Sequence, residues 1–349
     1  MKRILFLDGF RAIAILLVVA FHYFHVFVKK YSNEELAPFS FSFGGVGVDL
    51  FFMISGFVIF MTVTRKSLKG FFISRLTRLF PVYIFSVCVT TLVILNLGDW
   101  YSDVSLVNFL KNLTMFQYYL GGSNIDGVYW SLRVEVAFYI GLAVVSYGCS
   151  QRFLWPIILM ISISSFTFNF IAMQFTSLPI YLDLLHKVSI SHFIPYFIIG
   201  MCVYVFGGNS IGKIDFKSKD TQVKLLSLLI AIFDLLVNKN QLQFFVVFVA
   251  GAILLGMCRG RLVFLKVVLV SKLLVFFGII SYSLYLVHQV IGYILIHILV
   301  DAGIELYLAI ALVFLFVVAL AYFMQKYIES FISGVLFNKL NSRFLSYAK

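Results

Sequence analysis

The chain has 349 residues, of which 62% are hydrophobic and 12% charged, with a formal net charge of +12 and a mean hydropathy of +1.03. A water-soluble fold has no interior large enough to hide that much apolar surface, which excludes a soluble enzyme. The expectation is an all-α integral membrane protein forming one helical bundle.

The first element covers about residues 10–28. The N-terminal MKRILFLDGFRAIAILLVVAFHYF has the look of a signal peptide, but Asp8 and Arg11 interrupt its apolar region and no small-residue cleavage site follows. It reads as a retained first helix. Nine further apolar stretches follow at about 46–64, 81–97, 130–148, 153–173, 192–206, 222–237, 241–258, 275–299 and 306–327, each near the roughly 20 residues a membrane crossing needs. The stretch at 222–237 is short and carries Asp234, yet the charge pattern requires it. With the N-terminus in the cytoplasm, 20 of the 27 Lys and Arg residues fall on the cytoplasmic side and five outside. Without that stretch, Arg259, Arg261, Lys266 and Lys272 would lie outside. The expectation is therefore about ten spans with both termini cytoplasmic: a membrane domain over 1–330 and a short basic tail over 331–349. The charge follows topology, so no nucleic-acid partner is expected. The outer loop over 98–129 is long enough to roof a site, and 207–222 reads as a polar connector. Cys88, Cys149, Cys202 and Cys258 sit in apolar runs without metal-ligand spacing, so no metal is expected.

Ionisable groups at bilayer depth cost at least about 2.5–3.5 kcal/mol each, which makes them functional candidates. Arg11 and His22 are separated by a rise of about 16 Å and close to three full helical turns, so they share one face without touching. His25 shares part of that face. Each histidine could equally serve a structural hydrogen bond. Asp49 lies in GGVGVDLFFMISGFVIF, where the glycines suit close helix packing and the carboxylate suits either a helix start or a reaction. Arg75 and Arg78, three apart before the third span, suit membrane anchoring or bidentate phosphate binding. Pro81 is expected at that span's first turn.

In YWSLRVEVAFYI, Ser131 is a candidate cap, and Arg133 and Glu135 point to different sides. Glu135 is expected at a depth similar to His22, where a carboxylate beside an imidazole would orient and strengthen a general base; an Arg–Glu pair of purely structural meaning is the alternative. In GIISYSLYLVHQ, Ser281, Tyr282, Ser283 and Tyr285 precede His288, a hydroxyl-rich stretch able to bind a sugar or an amide, or to tie helices together. Asp234 reads as interfacial.

The segments LDGFRAIAILLVVAFH, FGGVGVDLFFMISGFVIF, ISRLTRLFPVY, WSLRVEVAFY and ISYSLYLVHQ, in this order, resemble the membrane acyltransferase family 3, which O-acylates cell-envelope carbohydrates. The resemblance runs from residue 7 to about 330. It implies a multi-pass protein of the bacterial inner membrane. It also implies a cytoplasmic acyl-CoA donor, usually acetyl-CoA, as co-substrate, and a glycan hydroxyl on the outer side as acceptor. The family's helix-one arginine and histidine map onto Arg11 and His22, its basic pair onto Arg75 and Arg78, and its glutamate onto Glu135. On this reading His22, Glu135 and Asp49 are catalytic, with His22 the general base or the site of an acetyl-imidazole intermediate. Arg11, Arg75 and Arg78 bind the donor, and Arg133, Tyr282, Ser283, His288 and His25 contact substrate. The rival is a proton-coupled exporter using the same residues as a relay, against which stands the lack of a visible inverted repeat.

Overall fold

A computed structural model of the chain describes residues 3–31, 41–98, 104–174, 189–208 and 217–332. Among them every regular element is helical. The α-helices are α1 (Leu5–Phe21), α2 (Val28–Tyr31), α3 (Val46–Val63), α4 (Leu68–Leu97), α5 (Leu106–Leu113), α6 (Trp130–Gly148) and α7 (Gln151–Gln174), then α8 (Ile194–Gly207), α9 (Lys219–Asn238), α10 (Gln241–Cys258), α11 (Val263–Leu269), α12 (Lys272–Val287), α13 (Val290–Asp301) and α14 (Leu306–Phe323). π-helical turns over His22–Phe27 and Met324–Ile332 extend α1 and α14. Helices satisfy their own backbone groups, which is what hydrocarbon demands of a spanning segment. Large side chains such as Leu92, Leu95, Leu315 and Phe316 stand exposed, a surface fit for lipid rather than water.

Among the described residues, seven helical stretches are long and apolar enough to cross a membrane, and an eighth results if α11 and α12, bent by 63°, make one crossing. The ten stretches expected from the sequence differ from these in three places. The segment expected over 275–299 is two helices, because the chain turns at His288 and Gln289 between α12 and α13. The segment over 192–206 forms only a short apolar helix. The segment over 222–237 is helical as α9 but is not among the stretches apolar enough to cross. Pro81 also differs from expectation: it lies inside α4, not at its first turn. Residues 209–216 of the expected connector and 333–349 of the expected tail lie outside the described residues.

The helices group into two compact units. The first comprises 1–14, 45–68 and 134–271. Its core is the crossing of α3 and α8, where the backbones meet at glycines. A Cβ on Gly56 would lie 2.2 Å from the Phe197 carbonyl oxygen, and one on Gly200 only 1.9 Å from that of Met53. Small residues let membrane helices approach where lipid supplies no hydrophobic drive between them. Phe197 then stacks on Phe138 with ring centroids 3.9 Å apart. Asp234 is buried in this unit and accepts hydrogen bonds from the side-chain amides of Asn169 and Asn238.

The second unit comprises 15–44, 69–133 and 272–349. Buried Tyr83 on α4 packs edge-on against Tyr129 and donates its hydroxyl to the Asn112 carbonyl, fixing α5 and the following loop to α4. Helices α12, α13 and α14 complete it.

Candidate active site

The second unit holds a buried polar constellation around His22 and His288. It begins where α1 widens into a π-helical turn at His22. Such turns add a residue to the helix and re-aim the side chains around it, and they recur at functional sites. Here the turn leaves His22 Nδ1 2.9 Å from the Val18 carbonyl oxygen and 3.1 Å from Nε2 of His288. The two imidazole rings meet edge to face with centroids 4.9 Å apart. His288 is fully buried, and its Nδ1 lies 2.9 Å from the Tyr285 carbonyl oxygen. Beside His22, the Tyr23 hydroxyl donates to the His288 carbonyl at 2.8 Å. Only glycine at 292 allows this, since a Cβ there would lie 2.2 Å from the Tyr23 hydroxyl oxygen.

The break between α12 and α13 frees backbone groups, and the unit supplies their partners. Asp126 is buried and accepts from the backbone N–H of Val290 at the start of α13 and from that of Val128. Burial pushes its carboxyl up to about 7, against the two N–H donors that pull it down. Gly127 leaves room for Gln289, whose amide oxygen would stand 2.6 Å from a Cβ at that position. Ser131, expected to cap the span, instead shares a 2.8 Å hydrogen bond with the Tyr285 hydroxyl, while Asp126 caps the turn before α6.

Of the other expected substrate contacts of this unit, Arg133, His25 and Tyr282 are engaged with protein, while the buried Ser283 hydroxyl has no hydrogen-bond partner among the described residues. Arg133 lies over the Tyr118 ring, 4.2 Å from its centroid, a cation–π contact. His25 stacks on Phe21. Ser283 is buried, and Tyr282 donates its hydroxyl to the Leu79 carbonyl. Arg75 and Arg78 sit three apart on α4, and Arg78 faces Glu329 at 3.9 Å.

Arg11, Asp49 and Glu135 belong to the first unit. Arg11 donates to Asp8, which also takes the Arg3 guanidinium. Glu135 accepts from the hydroxyls of Ser55 and Tyr139. Asp49 lies buried beside Lys239; burial lowers the Lys239 ammonium to about 8, although Asp49 and Asp234 act to raise it. Thus the structure brings His22 together with His288, a residue expected among the substrate contacts, and gives Glu135 hydroxyl partners of its own. Sequence reasoning passed over Tyr23, Asp126, Gln289 and Glu329. The NIDG turn just before a helix was a legible capping signal for Asp126; the others carried none.

Residues 4–325 match the sequence pattern of an acyltransferase domain. The chain belongs to the acyltransferase 3 family. Two relatives fit this membership. Nodulation protein 10 of Rhizobium leguminosarum bv. viciae is 29% identical over 127 residues, covering 30% of this chain and 34% of the relative. Peptidoglycan O-acetyltransferase OatA of Listeria monocytogenes is 31% identical over 155 residues, covering 38% of this chain and 22% of the relative. The aligned regions thus span about a third and about a fifth of these relatives' lengths. No solved structure matches the chain. As an acyltransferase 3 protein with several apolar spanning helices, it is a multi-pass membrane protein.

Proposed function

We propose that this protein is an O-acetyltransferase of the bacterial inner membrane, moving an acetyl group from cytoplasmic acetyl-CoA to a sugar hydroxyl of an envelope glycan. The observation that carries the reading is the His22–His288 contact inside a membrane unit of an acyltransferase 3 chain. His22 is the general base. It takes the proton of the acceptor hydroxyl as that oxygen attacks the thioester carbonyl, the carbon–sulfur bond breaks, and the proton passes on to the departing thiolate. Arg75 and Arg78, on one face of α4, suit the donor's phosphates. If all ten stretches expected from the sequence cross, the excess of Lys and Arg on one side supports cytoplasmic termini and hence a cytoplasmic donor site. The O-acetyl chemistry of the Listeria relative, as its name gives it, supports the reaction type.

The test compares envelope glycans, by mass spectrometry, from a strain lacking the gene and the same strain carrying the wild type or His22→Gln. An acetyl increment present only with the wild type is expected. Equal acetylation with His22→Gln removes the base assignment, and no acetyl difference between any of the strains removes the function.

A further inference from the structure

We infer that His288 is a positioning residue for His22: it fixes the proton on Nδ1 of His22 and so turns Nε2, with its lone pair, toward the reaction. The inference rests on the reading of His22 as general base.

The tautomers follow from the partners. His288 Nδ1 lies within reach of two carbonyl oxygens, those of Tyr285 at 2.9 Å and Leu284 at 3.2 Å. A carbonyl only accepts, so His288 Nδ1 must carry a hydrogen. A neutral imidazole has one N–H, which leaves His288 Nε2 as an acceptor. His288 is fully buried, and a buried charge without a counter-ion is costly, so the neutral form holds. Facing this nitrogen at 3.1 Å is His22 Nδ1, which also lies 2.9 Å from the Val18 carbonyl oxygen. Both neighbours of that nitrogen are acceptors, so His22 Nδ1 carries the hydrogen and shares it between them. The opposite tautomer would set lone pairs against each other at both contacts. His22 Nε2 is then the unprotonated nitrogen, the one able to take a proton from a hydroxyl.

His288 does more than Val18 alone. The Val18 carbonyl sits one helical turn back on the same helix and leaves the ring free to swing. His288 reaches in from the turn between α12 and α13, and its main chain is held by Tyr23 and, through Val290, by Asp126. When His22 becomes an imidazolium, its Nδ1–H still points at a nitrogen lone pair. The assignment matches the role that a carboxylate plays in a hydrolytic triad, performed here by a second imidazole.

The test uses full-length protein in lipid nanodiscs and in cells. His288→Leu keeps the volume and the Tyr23 bond, which goes to the main chain, but removes the acceptor. His288→Gln places an amide oxygen near the lost Nε2. With 15N-labelled histidine, the His22 signals, identified by their disappearance in His22→Gln, should show a protonated Nδ1 and an unprotonated Nε2 in the wild type. In His288→Leu they should move toward a mixture of tautomers. Glycan acetylation should fall about 10- to 100-fold in kcat with little change in KM for the donor in His288→Leu, and be largely restored in His288→Gln. A protonated Nε2 in the wild type overturns the proposal. So does wild-type kcat in His288→Leu, or an equal loss in Leu and Gln variants, which would mark packing alone. These outcomes are separate from failure of the base assignment, which is read in His22→Gln alone.

Discussion

The Tyr23 hydroxyl donates to the His288 carbonyl across 2.8 Å, one residue away from the contact between His22 and the His288 ring. The same two segments are thus tied twice, once through a main-chain acceptor and once through a side chain. Losing the first bond should loosen the second. Tyr23→Phe leaves the carbonyl without its donor and is expected to cost about 1–3 kcal/mol of stability and to lower acetylation. Gly292→Ala, which puts a Cβ against the Tyr23 ring and hydroxyl, should cost more. Thermal unfolding in detergent of both single variants and the double variant checks the pair. The combined loss should be smaller than the sum, since both disturb one contact.

Asp126 gives a pH signature. Its carboxyl is raised by burial to about 7 in the folded protein, above its ordinary value near 3.9 when exposed. The folded state therefore binds the proton more readily than the unfolded state. That contribution to stability is full below the ordinary carboxylate range and is lost as the pH rises through about 7. The apparent melting temperature should accordingly rise between pH 8 and pH 6, and this rise should shrink in Asp126→Asn. The asparagine should also lower stability at every pH. Its amide nitrogen would face one of the two backbone N–H groups that the carboxylate now accepts from.

Glu329 competes for Arg78 in the donor reading. At 3.9 Å and with Arg78 40% exposed, the pair is a weak one. Glu329→Gln should tighten CoA binding by about 2- to 5-fold, the range that a contribution of up to about 1 kcal/mol allows, while Arg78→Ala should weaken it. Calorimetry with CoA reads both, and tighter binding should fade at high salt. Weaker binding in Glu329→Gln would assign the pair to structure.

In the first unit the α3–α8 crossing depends on two glycines. Gly200→Ala would push a methyl into the Met53 backbone, where nothing flexible can move aside. The expected loss is about 1–3 kcal/mol, seen as reduced yield of folded protein in detergent and a lower melting temperature. Gly141, with open space around its Cβ position, should accept alanine without such a loss.

How far the sequence could be read differs from residue to residue. The apolar runs announce helices because a membrane leaves the chain few other forms, and most of them are found as single helices near where they are expected. His22 stood out as a histidine in an apolar run. Its partner was visible too, as His288, but nothing in sequence spacing joins two residues so far apart. Pairing Glu135 with His22 rested on depth along separate helices, whereas the hydroxyls of Ser55 and Tyr139 that the carboxylate accepts from carried no sequence signal. The break at His288 and Gln289 carries neither proline nor glycine, so its cause lies in partners supplied by Asp126 and Tyr23. Asp234 read as interfacial because a charged group at a helix end ordinarily is, and the two asparagines that shelter it lie on α7 and one turn further along α9.

The reach of the His22–His288 contact along the chain has a bearing on how the protein is made. The two residues are 266 positions apart. At synthesis rates of about 5–20 residues per second, the first helix waits roughly 13–53 seconds before the segment that satisfies its histidine is synthesised. Through that interval His22 has only the Val18 carbonyl of its own helix, and Tyr23 has no His288 carbonyl to bond. The first segment to be inserted is among the last to be completed, so the nascent chain depends on shelter from lipid headgroups or the insertion machinery until α12 and α13 arrive. Truncated chains that stop short of residue 288 should accordingly be captured by membrane quality control, however apolar their remaining helices are.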